Sequence, residues 1–166
     1  MDGEDVRKQF ENAFEQHSEA IFRYCYLRTS DRERSKEITQ ECFMKTWEYA
    51  LKGKRIDNLR VFLYRVAHNL VVNEYRDRKS NLSLEALVEA GFDPKTDIKT
   101  PEEEAQVKQA VWWLGKLEPM YRQIMVLRYV EDLPVKEIAE ILGETETAVS
   151  VKIHRAIKKL QKFASP

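Results

Sequence analysis

The residues best suited to chemistry in this sequence form a polar and basic helical stripe rather than a catalytic set. Thr147, Ser150, Val151, His154 and Lys158 recur at a spacing that puts them on one side of a helix. Lys152, Arg155 and Lys159 flank that side. The opposite side carries Val149, Ile153, Ala156 and Leu160, with Ile157 beside them. A helix buried along one stripe can present the other to the major groove. There an Arg fork grips a guanine edge or a phosphate, a small apolar side chain meets a thymine methyl, and a hydroxyl or imidazole bonds a base edge. The same spacing also fits a packing hairpin whose lysines merely complement a helix C-terminus.

Residue types for other chemistries do not come together. No Gly-rich phosphate loop, HExxH or GxSxG occurs. Cys25 and Cys42 each lie within an apolar helical pattern and read as core thiols. His17, His68 and His154 do not combine with them at metal-ligand spacing. No metal, cofactor or enzymatic activity is expected.

The elements that must position the stripe are helical. Leu133 to Leu160, LPVKEIAEILGETETAVSVKIHRAIKKL, predicts helix, turn, helix. Pro134 suits a first-turn position. Ile138, Ala139 and Leu142 supply the apolar face of the first helix. Gly143 supplies the left-handed stop. Thr145 caps the second helix, with Thr147 as the weaker alternative. Upstream, helices are predicted over residues 5–29, 32–51 and 59–79. Their core sides are Phe10, Phe14, His17, Ile21, Tyr24, Cys25 and Arg28, then Ile38, Cys42, Trp47 and Leu51, then Phe62, Leu63, Val66, Leu70 and Val71. Lys52 to Asn58 is a basic, Gly-containing loop. Residues 80–101 hold Gly, two Pro and an acidic balance, too long for a tight connection, with at most one helical turn at 84–89. Helical periodicity returns at Glu102 through Val107, Val111, Leu114 and Leu117, with Trp112 and Trp113 beside the stripe. It resumes at Pro119 with Ile124, Met125, Leu127 and Tyr129. The fold class is therefore all-α, two small helical domains joined by a flexible linker, the second with a helix-turn-helix.

The chain has 166 residues, 43% of them apolar, enough to bury a core. Its 28 basic and 28 acidic residues cancel, but not locally. Residues 52–80 carry eight basic and three acidic side chains and residues 145–162 five and one, while residues 81–118 carry four and eight. Two basic patches flank an acidic middle and can attract phosphates in a chain that is neutral overall. No run approaches a membrane span, and MDGEDVRK is polar rather than a leader. A cytoplasmic location without membrane insertion is expected.

Three segments in order carry a family likeness. EITQECFMKTW at Glu37 to Trp47 is similar to a D-L-x-Q-E-x-F-x-x-x-W signature. FLYRVAHNLVVNEYRDR at Phe62 to Arg78 is similar to a W-L-x-x-I-A-x-N-x-x-x-D-x-x-R segment. The hairpin follows LGKLEPMYRQIMVLRYVEDL and is similar to L-S-x-x-E-I-A-x-x-L-G-x-x-x-x-T-V-x-S-R-L-x-R-A. The chain resembles bacterial RNA polymerase sigma factors of the extracytoplasmic-function (ECF) group, from about Phe14 to Leu160. The resemblance implies a sigma region 2-like domain at 1–80, a linker at 81–101 and a region 4-like domain at 102–166. It implies binding to core RNA polymerase through the largest-subunit clamp and the flap, reading of promoter −10 and −35 elements, and control by an anti-sigma factor. A stand-alone helix-turn-helix regulator would account for the hairpin but not for the first two segments.

Roles transfer only where residues match. Glu37, Gln40 and Glu41 fall on the implied polymerase-docking helix, Glu37 standing where Asp is usual. Lys54, Arg55 and Ile56 fall in the loop implied to capture a flipped −10 base, a step that needs a snug pocket. Ile56 lies near the expected place, and the stacking residue itself stays open. Asn69 matches the Asn of the A-x-N element and is implied in −10 reading. Arg60, Arg65, Arg76, Arg78 and Lys79 are implied in phosphate contact. Phe62 stands where Trp is common, and Asn73 and Glu74 replace the usual Asp and apolar residue. Thr147, Ser150, Val151, Lys152, His154, Arg155 and Lys158 are implied in −35 reading. Lys152 stands in an Arg place and so lacks a bidentate fork. Ala148 stands where Thr is usual.

Overall fold

The computed structural model describes residues 3–75 and 100–165. Its described residues form helices and connecting turns, without a strand. The elements are α1 (Gly3–Thr29), α2 (Arg32–Leu51), α3 (Leu59–Tyr75), α4 (Pro101–Lys116), α5 (Pro119–Met125), a π-turn (Val126–Val130), α6 (Val135–Leu142) and α7 (Glu146–Ala164). Most of the expected linker lies outside the described residues, as do the 84–89 turn and residues 76–79.

Local chemistry sets these boundaries. Ser30 takes the left-handed conformation, φ 55°. Asp31 then caps α2, its Oδ1 accepting from the Arg34 amide at 3.0 Å. Asn58 does the same for α3, accepting from the Val61 amide at 3.2 Å. Thr100 caps α4 by accepting from the Glu103 amide at 3.2 Å, so this helix begins at Pro101, the first-turn position where a missing N–H is harmless.

The first three helices pack into a bundle around Ile21, Tyr24, Ile38, Leu63, Ala67 and Val71, all buried. Cys25 and Cys42 are buried free thiols, and Cys42 Sγ donates to the Leu63 carbonyl at 3.2 Å. Burial pushes the Cys42 thiol up to about 12 and Cys25 further in the same direction. Ser35, Thr39 and Thr46 are buried without orphaned hydroxyls, because each bonds the carbonyl one turn earlier.

The second core gathers Ile124, Leu127, Leu133, Ile138, Ile141 and Val149. Arg122 is buried at its edge. Its Nε donates to the Leu114 carbonyl at 3.1 Å and its Nη2 to the Leu117 carbonyl at 3.2 Å. The guanidinium thus serves the last carbonyls of α4, which have no intrahelical donor. α6 also packs along α3, and one apolar cluster runs through both cores.

Several sequence expectations are corrected. Phe14, assigned to the core side, is 44% exposed and rests edge-on against Phe43 at 5.0 Å. Leu51 and Tyr129 are 56% and 58% exposed. Leu51 is the last residue of α2, at the open end of the helix. Tyr129 sits in the π-turn, where one extra residue per turn rotates it out of the α-helical stripe. Pro134 is the cap rather than the first helical residue, its carbonyl accepting from the Ile138 amide at 3.1 Å.

His68 lies on the α3 flank beside Tyr24, whose hydroxyl is 3.3 Å from its Nδ1 and accepts from Arg28 at 2.7 Å. Burial, reinforced by the Arg28 charge and partly opposed by Glu144, lowers His68 from 6.5 to about 4. The folded chain therefore holds a neutral ring where the unfolded chain takes a proton. That contribution is complete above pH 6.5 and is lost as pH falls through 4. Urea unfolding of the wild type should lose about 2 kcal/mol over that window relative to His68→Gln, the full shift being discounted for the ring's wet edge. Parallel pH profiles for the two proteins would refute this.

Candidate nucleic-acid interface

The α6–α7 hairpin is assembled as its sequence predicts. Gly143 is left-handed, φ 67°, a conformation that disfavours any residue with a Cβ. The following Glu144 amide returns to the Ala139 carbonyl at 3.0 Å and closes α6. Thr145, not Thr147, caps α7, its Oγ1 accepting from the Ala148 amide at 3.1 Å. Ala148 therefore needs no hydroxyl. Val149, Ile153 and Ala156 are buried against α5 and α6. Thr147, Ser150, Val151, His154, Arg155 and Lys158 are all exposed and share one face. Lys152 stands apart from them. It is half-buried, with its ammonium on the Glu144 carboxylate. The usual partner of a phosphate is thus already neutralised within the hairpin.

A second polar face lies on α3. Arg65, Asn69 and Asn73 follow one another by four residues and are exposed. Phe62 is half-buried, its ring 4.8 Å from Tyr49. The loop before α3 turns through Gly53, φ 75°. Lys54 lies over the Tyr49 ring at 5.1 Å, and exposed Arg55 pairs with Asp57 at 2.8 Å. Ile56 is half-buried and joins Phe10, Phe43, Trp47 and Leu59 around an apolar cavity of about 560 Å³. Arg60, in the first turn of α3, meets Glu137 of α6 at 2.6 Å. Glu74 pairs with Arg34 at 2.6 Å, so its charge is spent inside the bundle. Arg76 lies outside the described residues, as do Arg78 and Lys79.

On α2, Glu37 and Gln40 are exposed and Glu41 is half-buried. Glu37 accepts from Arg34 at 2.8 Å, and Glu41 lies 3.7 Å from Lys45. Met44 continues the same stripe at 60% exposure. An acidic and amide row ending in a soft apolar residue suits a partner helix bearing Arg or Gln.

Sequence reasoning missed Met44, although its spacing of three from Glu41 and seven from Glu37 could have found it. It also missed Glu131, Arg23, Tyr64 and Glu137. Glu131 Oε1 accepts from Arg23 Nε at 2.8 Å, and its Oε2 accepts from Arg23 Nη2 at 2.8 Å and from the Tyr64 hydroxyl at 2.6 Å. The bond to Glu131 raises Arg23 above its ordinary value, against the effect of burial, while burial and the adjacent carboxylate drive the Tyr64 phenol far up. The available signal was a carboxylate at a helix C-terminus, where the helix dipole opposes it and a cation must answer.

The family model for Sigma-70 region 2 matches residues 13–81, and that for Sigma-70 region 4 matches residues 114–160. The chain is 28% identical over 162 residues to the RNA polymerase sigma factor YlaC of Bacillus subtilis, covering 94% of this chain and 92% of that protein. It is 26% identical over 174 residues to the ECF RNA polymerase sigma factor SigW of the same organism, covering 95% and 91%. Its fold is similar to the sigma factor RpoE solved in complex with the anti-sigma factor NepR from Bartonella quintana. That match has a TM-score of 0.72 at 15% identity, over 93% of this chain and 96% of that one. CnrH, solved with the cytosolic domain of CnrY, matches with a TM-score of 0.70 at 23% identity, over 95% and 88%.

Because the Thr145 hydroxyl satisfies a free amide of α7, Thr145→Ala should lower stability by about 1 kcal/mol in urea unfolding, and Thr145→Ser should restore most of it. Thr147→Ala, at an exposed position two residues past the cap, should leave the midpoint unchanged.

Proposed function

The chain belongs to the sigma-70 family, and from that premise we infer that it is an ECF-type sigma factor that binds core RNA polymerase and directs initiation at promoters with −10 and −35 elements. The observation that carries this reading is the pairing, on one chain, of a region 2 match containing the α2 stripe and the α3 face with a region 4 match ending in a capped helix whose polar face is open. A DNA-binding regulator that never met polymerase would have no use for the α2 stripe.

The division of labour follows the residues. The unit over 1–80 docks on the polymerase clamp through Glu37, Gln40 and Glu41, with Met44 extending that surface. It reads the −10 element through Asn69 and the loop at Lys54, Arg55 and Ile56, with Arg65 and Arg76 on phosphates. The segment 81–101 is the tether. The unit over 102–166 reads the −35 element with Thr147, Ser150, Val151, His154, Arg155 and Lys158. Exposed Arg155 is the residue suited to a bidentate guanine contact. Lys152 serves the hairpin first, through Glu144, and DNA only at its edge. The apolar groove among Trp113, Leu114, Met125, Val130 and Leu160 fits an apolar helix of the polymerase flap.

The chain supplies no chemistry of its own. It lends specificity to the polymerase, works in the cytoplasm and is held in check by an anti-sigma factor, as RpoE is bound by NepR. No described helix is long and apolar enough to cross a membrane.

In vitro transcription with core polymerase and a fragmented genomic template should give transcripts that depend on this chain and share two upstream elements. An absence of such transcripts, with no comigration with core, would refute the proposal. On the promoter so found, Arg155→Ala should weaken −35 recognition by about 1–3 kcal/mol and relax preference at one base pair. An equal loss on every sequence would make Arg155 a phosphate contact instead.

A further inference from the structure

Two carboxylates from one short stretch of the second unit grip the first. Glu131, whose side chain is 1% exposed, takes a bidentate Arg23 and the Tyr64 hydroxyl. Six residues on, Glu137 accepts from Arg60 Nη2 at 2.6 Å through Oε2 and from Asn58 Nδ2 at 3.2 Å through Oε1. The backbone is shaped to aim both. The Glu131 amide reaches back to the Val126 carbonyl in the π-turn, and Asp132 turns left-handed at φ 55°. Leu133 is then fully buried, and α6 runs along α3.

The partners of Glu137 matter as much as its geometry. Arg60 and Asn58 stand at the start of α3, next to the loop assigned to the −10 element. A helix N-terminus with an Arg and an amide is a place for a phosphate. Glu137 puts a carboxylate there instead.

This arrangement cannot reach both promoter elements. Their names set them some 25 base pairs apart, about 85 Å along B-DNA at ~3.4 Å per pair. In the closed chain Arg60 touches Glu137. Asn69 lies nine residues along α3 from Arg60, about 14 Å at ~1.5 Å per residue. Arg155 lies eighteen residues beyond Glu137 through two helices and a turn, at most about 35 Å away by the same rise and an extended turn. Asn69 and Arg155 are therefore separated by no more than roughly 50 Å plus side-chain reach, well short of the promoter span.

We propose that Glu131 with Arg23 and Tyr64, and Glu137 with Arg60 and Asn58, form an intramolecular latch that holds the two DNA-reading units together in a self-inhibited state, Glu137 standing in for a promoter phosphate. The proposal rests on the sigma-factor reading for what is inhibited, but the latch itself is a property of this chain. It opens when the polymerase holds the units apart and DNA phosphates replace Glu137 on Arg60. Glutamine at both positions keeps the shape and removes the charge that the Arg side chains answer.

The test uses the full chain with spin labels on cysteines introduced by Glu33→Cys and Lys162→Cys, both exposed positions, the native thiols being buried. Wild type should give one short, narrow distance distribution by double electron–electron resonance. Glu131→Gln combined with Glu137→Gln should broaden and lengthen it. The double variant should also bind a random-sequence single-stranded DNA pool at least fivefold more tightly, and keep core-dependent transcription. Unchanged distances and unchanged DNA affinity would overturn the latch, as would a broad wild-type distribution. Loss of helical circular dichroism in the double variant moves the test to Glu137→Gln alone, which keeps the buried Glu131 triad intact, and the same gain in DNA affinity is required. If neither protein supports core-dependent transcription, the sigma-factor reading falls, whatever the distances show. If both do and the distances are equal, only the latch falls.

Discussion

One buried carboxylate ties this molecule together. Glu131 lies out of water between a guanidinium from α1 and a phenol from α3. Such a group is stable there only if its charge is answered and its lone pairs are filled. Arg23 supplies the charge and two parallel bonds, one to each oxygen, and the Tyr64 hydroxyl donates a second bond to Oε2. Removing any one of the three would strand the others. While the second unit is seated against the first, this triad fixes how the two units sit relative to one another.

The rest of the second unit follows from that seat. The π-turn and the left-handed Asp132 carry the chain from α5 into α6 at the angle that lays α6 along α3. α7 then crosses α5 and α6 with its apolar stripe inward. Because one face of α7 is consumed by packing, the opposite face is left polar and open. Its position on the outside of the hairpin is a consequence of burial, not of any attraction within the molecule.

Electrostatics divide the surface by use. Cations that meet partners inside the chain, such as Arg34 with Glu37 and Glu74, Lys152 with Glu144 and Lys159 with Glu118, serve the fold. Arg65, Arg155 and Lys158 sit exposed on the two candidate reading faces. Net neutrality of the whole chain thus coexists with local faces suited to phosphate. Arg60 belongs to both groups, taken by Glu137 in the closed chain yet set at the end of α3 nearest the basic loop.

Much of this was determined by the sequence alone, wherever the deciding interaction is local. Gly143 stops α6 and Thr145 starts α7 because a left-handed turn and an amide cap each need a residue within three or four positions. The buried stripe of Val149, Ile153 and Ala156 and the open face at Ser150, His154 and Arg155 follow from helical periodicity alone. The order of three familiar segments was equally legible. Tertiary structure decided the rest, for reasons of distance along the chain. Phe14 and Tyr129 keep helical spacing, yet no neighbouring element covers them fully. Lys152 reads as a groove residue until Glu144 folds back onto it from across the turn. Arg23 and Glu131 stand 108 residues apart, and Asn58 and Glu137 stand 79 apart. No periodicity links such pairs. Only packing the π-turn on α1 and α6 on α3 brings them within bonding distance, and so only the folded chain shows these contacts between its two halves.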